Sequence, residues 1–185
     1  MIYQILQNPL TQDYLDFKRH VLSEDFQWNY RNTTSPLDEF DREKYTANTM
    51  YQHRIVQGPS RNCGRPLPDV QSYLVGNAET IVKQILAHND IQLNFIFRMV
   101  VNSICYSNGK PSVPHVDHEE YNHKNLIVYL NQFEKGNIDV IDDDGSVHTY
   151  KPNEDDVITF THKYHSIHQP SPADDRRVAF VATYL

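Results

Sequence analysis

The sequence predicts a mainly β protein, a jelly roll of two sheets with buttressing helices. Two observations predict it. Two stretches with the apolar spacing of helices lie in the first half of the chain, and a series of short apolar stretches separated by turn residues begins near residue 92. About seven or eight short strands after two helices are typical of a helix-buttressed jelly roll.

The chain has 185 residues, which is long enough for one domain with a buried core. We expect residues 1–185 to form a single domain, with helices and loops at about 1–90 and a jelly-roll core at about 91–185. The sequence contains no internal repeat, low-complexity segment or linker that would divide it.

The first half predicts a short strand within residues 1–10 and two helices. The first helix, in TQDYLDFKRHVLSEDFQW, has Thr11 at its N-cap and an apolar side formed by Tyr14, Phe17, Val21 and Leu22. The second, in NAETIVKQILAHND, is capped by Asn77 and has an apolar side formed by Ile81, Ile85 and Leu86. The polar residues 29–72 predict long loops with a strand around HRIVQG, and we expect these loops to cover the substrate.

The second half predicts the strands of the jelly roll. They are short, rich in β-branched and aromatic residues, and separated by turn sequences such as SNGKP, DDDG and SPADD. In chain order they are LNFIFRMVVNSICY, NLIVYLN, IDVI, SVHTY, DVITF, HSIH and RVAFVATYL. The turn DDDG predicts a hairpin between IDVI and SVHTY.

The composition argues against several classes of function. A net charge of −7, from 17 basic and 24 acidic residues, gives no general attraction to nucleic acid or to an anionic membrane. Two cysteines cannot form a disulfide framework or a multi-cysteine zinc site. The sequence lacks a signal peptide and a long apolar run, so we expect a cytoplasmic protein without membrane or nucleic-acid partners.

The stretch VPHVDHEEY, at residues 113–121, contains the first candidate metal ligands. Residues two apart in a strand share a face, so the side chains of His115 and Asp117 would lie side by side. The same alternation places His118 on the opposite face, while Glu119 and Glu120 are interpreted as solvated residues of a loop rim. A histidine and a carboxylate on one face are two of the three ligands of a facial triad, which is typical of non-haem Fe(II) oxygenases.

The third ligand is expected in THKYHSIHQP, which offers His162, His165 and His168. We favour His165, which begins a strand-like stretch after DVITF, and His168 stays open as the alternative. A histidine of this group that is not a ligand is interpreted as an ordinary surface histidine or as a neighbour of the site.

Two arginines, Arg176 and Arg177, begin the last predicted strand. Arg177 would share a face with the small residues Ala179, Val181 and Thr183, which leaves room for a ligand. The guanidinium group binds a buried carboxylate through two parallel hydrogen bonds. We therefore predict that Arg177 binds a ligand carboxylate and that Arg176 forms a surface ion pair with Asp174 or Asp175.

These stretches resemble the iron(II)- and 2-oxoglutarate-dependent dioxygenases, specifically their prolyl-hydroxylase-like branch. The resemblance rests on CYSNGKPSVPHVD, LIVYLN, DDVITFTHKYHSIHQP and RVAFVATYL, which follow the family's order over about half the chain. It implies the family's double-stranded β-helix, a jelly roll. It also implies roles for individual residues: iron ligands at His115, Asp117 and His165, an arginine for the distal carboxylate of 2-oxoglutarate at Arg177, and a cosubstrate contact at Tyr106.

The implied activity is hydroxylation of an unactivated C–H bond with Fe(II), 2-oxoglutarate and O₂, which releases succinate and CO₂. The expected substrate is a small molecule or a peptide, with a prolyl residue of a peptide or a free amino acid as candidates. Two alternatives stay open, a cupin-like metal enzyme that does not use 2-oxoglutarate and a non-catalytic jelly-roll binding module. The interval from His165 to Arg177 is longer than usual for the family, and His168 would shorten it.

Overall fold

The computed structural model describes residues 2–32, 42–47, 49–60, 63–174 and 176–185. Within these ranges lie two α-helices, α1 (Gln12–Leu22) and α2 (Val75–His88). The strands in the same ranges are β1 (Tyr3–Leu6), β2 (Asn29–Arg31), β3 (Met50–Gln57), β4 (Asp69–Val70), β5 (Ile96–Ile104), β6 (Lys124–Tyr129), β7 (Ile138–Ile141), β8 (Val147–Tyr150), β9 (Val157–Thr161), β10 (Tyr164–Ile167) and β11 (Arg177–Tyr184).

The strands form a major and a minor antiparallel sheet. The major sheet has the order β1-β9-β6-β11-β5-β3-β2, with β4 paired to β3, and the minor sheet has the order β10-β7-β8. Connections that pass between the two sheets, from β6 to β7 and from β10 to β11, build a double-stranded β-helix. The predicted fold class, a mainly β jelly roll with buttressing helices, is confirmed.

Two layers of buried side chains cover the two faces of the major sheet. Alternation along β11 sends Val178, Phe180, Ala182 and Tyr184 toward the helices, where Phe17 of α1 packs on Phe180 with ring centroids 5.3 Å apart. The opposite face carries Ala179 and Val181, which pack with apolar residues of the minor sheet. This second layer is the interior of the jelly roll. Arg177, the first residue of β11, lies on the same face as Ala179 and Val181.

The first helix begins and packs as predicted, whereas the second begins earlier than predicted. Thr11 Oγ1 accepts the backbone N–H of Tyr14, which confirms its N-cap role in α1. The predicted cap at Asn77 is wrong, because α2 begins at Val75 and Asn77 lies in its first turn. The turn that precedes α2 includes Ser72, whose side chain accepts the backbone N–H of Leu74.

The first half of the chain supplies more strands than predicted. β1 extends the major sheet beyond β9, and β2, β3 and β4 extend its other end beyond β5. In the described part of residues 29–72, the predicted strand around HRIVQG is β3, and most of the other residues lie in loops as predicted; the short strands β2 and β4 were not predicted. Residues 33–41, 48, 61 and 62 lie outside the described part. The predicted hairpin at DDDG is present, since Ile141 pairs with Val147 and the backbone N–H of Asp142 donates to the Ser146 carbonyl at 2.9 Å.

Neither described helix has the length and apolar character that crossing a bilayer requires.

Candidate metal centre

A single β-bridge between distant parts of the chain creates the centre. His115 and His165 each donate their backbone N–H to the other's carbonyl at 3.0 Å, although residues 113–121 otherwise form no regular strand. This bridge joins the HVD segment to β10 of the minor sheet and brings the two imidazole rings to a centroid distance of 4.5 Å. Asp117 follows at the next same-side position, so that three potential ligands converge.

The three residues can hold one metal ion. One ligand atom from each of His115, Asp117 and His165 lies within 4.8 Å of the others. Among the described residues no other group of this kind is found. His168, the alternative third ligand, instead places Nε2 at 2.7 Å from the Asp139 carboxylate, and His162 lies against His123. The structure therefore groups His165 with the HVD pair.

Backbone carbonyls orient both imidazoles. Nδ1 of His115 lies 3.0 Å from the Val113 carbonyl, and Nδ1 of His165 lies 3.3 Å from the Lys163 carbonyl. A carbonyl only accepts, so each Nδ1 carries the proton and each Nε2 keeps its lone pair for a metal. Such hydrogen bonds fix the tautomer and the ring orientation of metal-binding histidines.

Burial and neighbouring charges favour the metal-binding protonation states of Asp117 and His165. Burial alone would raise the pKa of Asp117, but Arg98, with Nη1 at 3.0 Å from Oδ1, and the neighbouring imidazoles hold that pKa well below its usual range. His165 is 3% exposed, and burial together with His115 lowers its pKa to about 4. At neutral pH the centre therefore presents a carboxylate and a neutral buried imidazole.

Arg98 and His118 belong to this region, although the sequence did not indicate them. Arg98 lies in the apolar strand β5, where the one available signal is a charged residue inside an apolar run. The prediction that His118 faces away is wrong, because the chain leaves the extended conformation after the His115 bridge. His118 lines the same cavity as the triad, with Nε2 at 3.0 Å from Thr183 Oγ1.

A cavity of about 620 Å³ opens beside the triad. Its apolar walls include Ile127, Ile167 and Val181 from both sheets. Four arginines also line it, namely Arg31, Arg54, Arg65 and Arg98. A concave site with a few convergent polar groups is the usual form of a small-molecule site.

Arg177 lies deeper, between the sheets, and does not line this cavity. It is 1% exposed, its Nε donates to the Gly136 carbonyl at 3.1 Å, and its guanidinium lies over the rings of Tyr129 and Phe133, at 5.0 and 5.9 Å. Among the described residues it has no carboxylate partner. The buried hydroxyl of Tyr129 makes no well-formed hydrogen bond there either, and it lies close enough to the Arg177 guanidinium for that charge to act on it.

An uncompensated buried charge is costly, so Arg177 and the neighbouring Tyr129 hydroxyl could together hold an anion. Burial lowers the pKa of Arg177 and raises the pKa of Tyr129. The Tyr129 hydroxyl therefore stays protonated and can donate, as can the guanidinium.

Tyr106 and Arg176 lie away from the triad. Tyr106 is 43% exposed, in the loop after β5, and does not line the cavity. Arg176 lies over the ring of Trp28 at 5.7 Å. Of its two predicted ion-pair partners, Asp174 accepts the backbone N–H groups of Glu134 and Ser171, and Asp175 lies outside the described residues.

No protein-family model matches the sequence, and no curated protein matches it either. Solved structures do match. An oxidoreductase of the 2OG-Fe(II) oxygenase family from Burkholderia pseudomallei has a TM-score of 0.67 at 14% identity, covering 99% of this chain and 85% of that one. A prolyl hydroxylase from Trichoplax adhaerens, in complex with a hypoxia inducible factor peptide fragment, has a TM-score of 0.63 at 13% identity, covering 100% and 83%.

A third match is a Pseudomonas putida prolyl-4-hydroxylase, with a TM-score of 0.56 at 16% identity, covering 99% of this chain and 92% of that one. At such low identities these likenesses establish the fold. The chain has the fold of 2OG-Fe(II) oxygenases over nearly its whole length.

Proposed function

We propose that the chain is an Fe(II)- and 2-oxoglutarate-dependent dioxygenase that hydroxylates an unactivated C–H bond and releases succinate and CO₂. The observation that carries the proposal is the convergence of His115, Asp117 and His165 within 4.8 Å in a double-stranded β-helix. The fold shared with the 2OG-Fe(II) oxygenase from Burkholderia pseudomallei supports it.

The chemistry of the donor set fits Fe(II). Two neutral imidazoles and one carboxylate form a facial triad, which leaves coordination positions open. His115, Asp117 and His165 would hold the metal, with Arg98 keeping Asp117 ionised and fixed in place. The Val113 and Lys163 carbonyls keep each Nε2 free of a proton.

The anion site fits 2-oxoglutarate. Arg177 and the Tyr129 hydroxyl would hold its distal carboxylate, since both are buried donors without an acidic partner among the described residues. The role implied for Tyr106 stays a prediction. When bound, iron and 2-oxoglutarate together activate O₂ for attack on a C–H bond, a chemistry that no side chain supplies.

The remaining task of the chain is to position the substrate and exclude water. The cavity beside the triad would receive the substrate, and its apolar walls would keep water from the reacting C–H bond. We propose as substrates a prolyl residue of a peptide or a free amino acid. The shared fold with two prolyl hydroxylases, one of them bound to a peptide, supports the prolyl and peptide candidates.

An anaerobic titration tests the proposal. Metal-free protein given Fe(II) and 2-oxoglutarate without oxygen should develop the metal-to-ligand charge-transfer band, and Asp117→Ala and His115→Ala should lose it. Arg177→Ala should weaken 2-oxoglutarate binding far more than iron binding. Absence of the band in wild type would refute the function; iron binding without a 2-oxoglutarate response would favour the cupin-like alternative, and no iron binding the non-catalytic module.

A further inference from the structure

We infer that the substrate is a small molecule with an oxyanion group, a carboxylate or a phosphate, which Arg31, Arg54 and Arg65 bind in the cavity beside the metal centre. In naming the anion as a substrate, the inference rests on the proposed function. The anion site itself follows from the arrangement of the arginines.

The arginines come from neighbouring parts of the fold and face one cavity. Arg31 of β2 lies opposite Met50 of β3, and the alternation of β3 puts Met50, Gln52 and Arg54 on the same face. All of them line the cavity, as does Arg65 from the segment between β3 and β4. Arg31, Arg54 and Arg65 therefore bring three positive charges to the cavity, whose lining also includes the exposed carboxylates of Glu119 and Glu120.

Among the described residues, these three guanidinium groups form no ion pair with a carboxylate. Nε of Arg54 donates to Gln52 Oε1 at 2.8 Å, and Nε of Arg65 donates to the Gly58 carbonyl at 2.9 Å. Both acceptors are uncharged. Of the four arginines around the cavity, Arg98 is the one that pairs with a carboxylate within the described part of the chain.

The positive charges of the arginines also act on one another. Arg54 is half-buried, and burial, followed by the charges of Arg31, Arg98 and Arg65, lowers its pKa. Like charges held together without a counter-ion destabilise a protein, and a bound anion removes that cost. The cluster also stands out against the net charge of −7 for the whole chain.

This anion site is separate from the one at Arg177, which does not line the cavity. The protein therefore has one anion site for the cosubstrate, deep between the sheets, and a second in the cavity. Arg54 lies opposite Val100 on β5, and Arg98 is two residues from Val100 on the same face, where it reaches Asp117. A substrate whose anionic group is bound by Arg54 would thus have the C–H bonds next to that group near the metal.

The size of the cavity favours a small molecule over a protein segment. About 620 Å³ lies within the range of roughly 300–1,000 Å³ that is usual for small-ligand sites. A free amino acid carries the required carboxylate, whereas an internal prolyl residue of a peptide does not. Of the two proposed substrates, the arginines therefore favour the free amino acid over the prolyl residue of a peptide.

Calorimetric titration of the iron-free protein with citrate and with inorganic phosphate tests the anion site without any turnover. We expect at least one of the two anions to bind to wild type. Binding to Arg31→Gln/Arg54→Gln should be at least about tenfold weaker, because each lost arginine removes its charge-assisted hydrogen bonds to the anion. The control is Arg19→Gln, which removes one positive charge from the exposed surface of α1, as Arg31→Gln does from β2, and it should bind like wild type. The anion that binds more tightly identifies the group on the substrate.

Equal binding by wild type and the double variant, or no binding of either anion to wild type, would overturn the anion site. Arg31 is exposed, so Arg31→Gln alone provides a variant that should keep the fold, as circular dichroism would show. It should weaken binding in the same direction, and unchanged binding by it would count against the inclusion of Arg31.

Succinate release tests the substrate part. With Fe(II), 2-oxoglutarate and O₂, acids such as L-proline should stimulate release where the matched amide L-prolinamide does not. Stimulation by the amides as strong as by the acids, or by peptides alone, would overturn the small acidic substrate. Failure of the charge-transfer band would instead refute the dioxygenase function, and the calorimetric result would still decide whether the arginines bind anions.

Discussion

At the scale of residues, the polar atoms that the fold buries without partners are the most informative. Most buried polar groups in proteins are hydrogen-bonded, so an exception calls for an explanation. Among the described residues the Tyr129 hydroxyl is such an exception, and the Arg177 guanidinium lies over the Tyr129 ring. Asn125, which is fully buried, has neither its amide nitrogen nor its oxygen bonded. Both residues lie on β6, on the face toward the jelly-roll interior.

The Tyr129 hydroxyl is expected to contribute to 2-oxoglutarate binding. In Tyr129→Phe, one donor to the distal carboxylate is lost, and hydrogen bonds to charged groups contribute about 1.5–3 kcal/mol. The dissociation constant for 2-oxoglutarate, measured anaerobically from the charge-transfer band, should rise about 10- to 100-fold. Iron affinity should stay unchanged, because Tyr129 is not among the metal ligands.

Tyr30→Phe is the matched control, since Tyr30 is 61% exposed on the edge strand β2, which β11, β5 and β3 separate from Tyr129 on β6. Identical 2-oxoglutarate affinities in wild type, Tyr129→Phe and Tyr30→Phe would contradict the role of Tyr129. A parallel loss of iron and 2-oxoglutarate affinity in Tyr129→Phe would indicate a general distortion of the interior instead.

At the scale of elements, β11 connects the fold to the site. It is the central strand between β5 and β6, and both of its faces are buried. One face packs on the helices. On the other face, Arg177 is buried between the sheets, Val181 lines the cavity and Thr183 contacts His118. Packing of the helices thus fixes the strand that positions functional side chains on its opposite face.

The turn between β6 and β7 is expected to require glycine at position 136. Gly136 has φ +23, and a Cβ added there would lie 2.5 Å from Phe133 Cε2 and 3.1 Å from Arg177 Cδ. Gly136→Ala should therefore displace Phe133 and Arg177 and lower the free energy of unfolding by about 1–3 kcal/mol. Denaturant unfolding measures the loss, and 2-oxoglutarate affinity should fall with it.

Gly76→Ala provides the comparison, because a Cβ at Gly76 meets no atom within 4 Å and the residue lies in α2. Alanine favours the helix, so this variant should be as stable as wild type or slightly more so. Equal stability of Gly136→Ala and wild type would show that the turn relaxes without disturbing Arg177.

At the same scale, local patterns predicted the strands, and pairing between distant segments escaped prediction. The strands of the second half follow from short apolar stretches between turn residues, and the β7–β8 hairpin follows from DDDG. Periodicity shows which residues of a strand share a face, but it does not show which other strand pairs with that strand. The pairing of β1 with β9, and of β3 with β5, depends on packing across the whole chain.

The same distinction explains the candidate site. The spacing predicted the pair His115 and Asp117, but the choice of His165 over His168 depends on a backbone bridge between residues 50 positions apart in the chain. The contact of Arg98 with Asp117 comes from the packing of β5 beside that segment, which no local pattern encodes. Side-chain chemistry was therefore predictable, whereas the neighbours that tune it were not.

At the scale of the whole molecule, the buried histidines should make the metal-free protein sensitive to acid. Burial lowers the pKa of His118 and of His165 from 6.5 to about 4, and it also lowers the pKa of His123. In the unfolded chain these groups take up protons near pH 6.5, earlier than in the folded chain. The unfolded state thus binds more protons between about pH 6.5 and 4, and acid favours it.

We therefore expect the free energy of unfolding of metal-free protein to be constant above about pH 7 and to fall as the pH drops from about 6.5 to 4. Each fully buried histidine contributes a slope of up to about 1.4 kcal/mol per pH unit. Urea unfolding at a series of pH values measures this dependence. His165→Gln removes one titrating group and should flatten the slope, whereas His148→Gln, on the exposed part of β8, should not. Equal slopes in wild type and His165→Gln would show that the His165 imidazole takes up its proton in the folded protein as readily as in the unfolded chain.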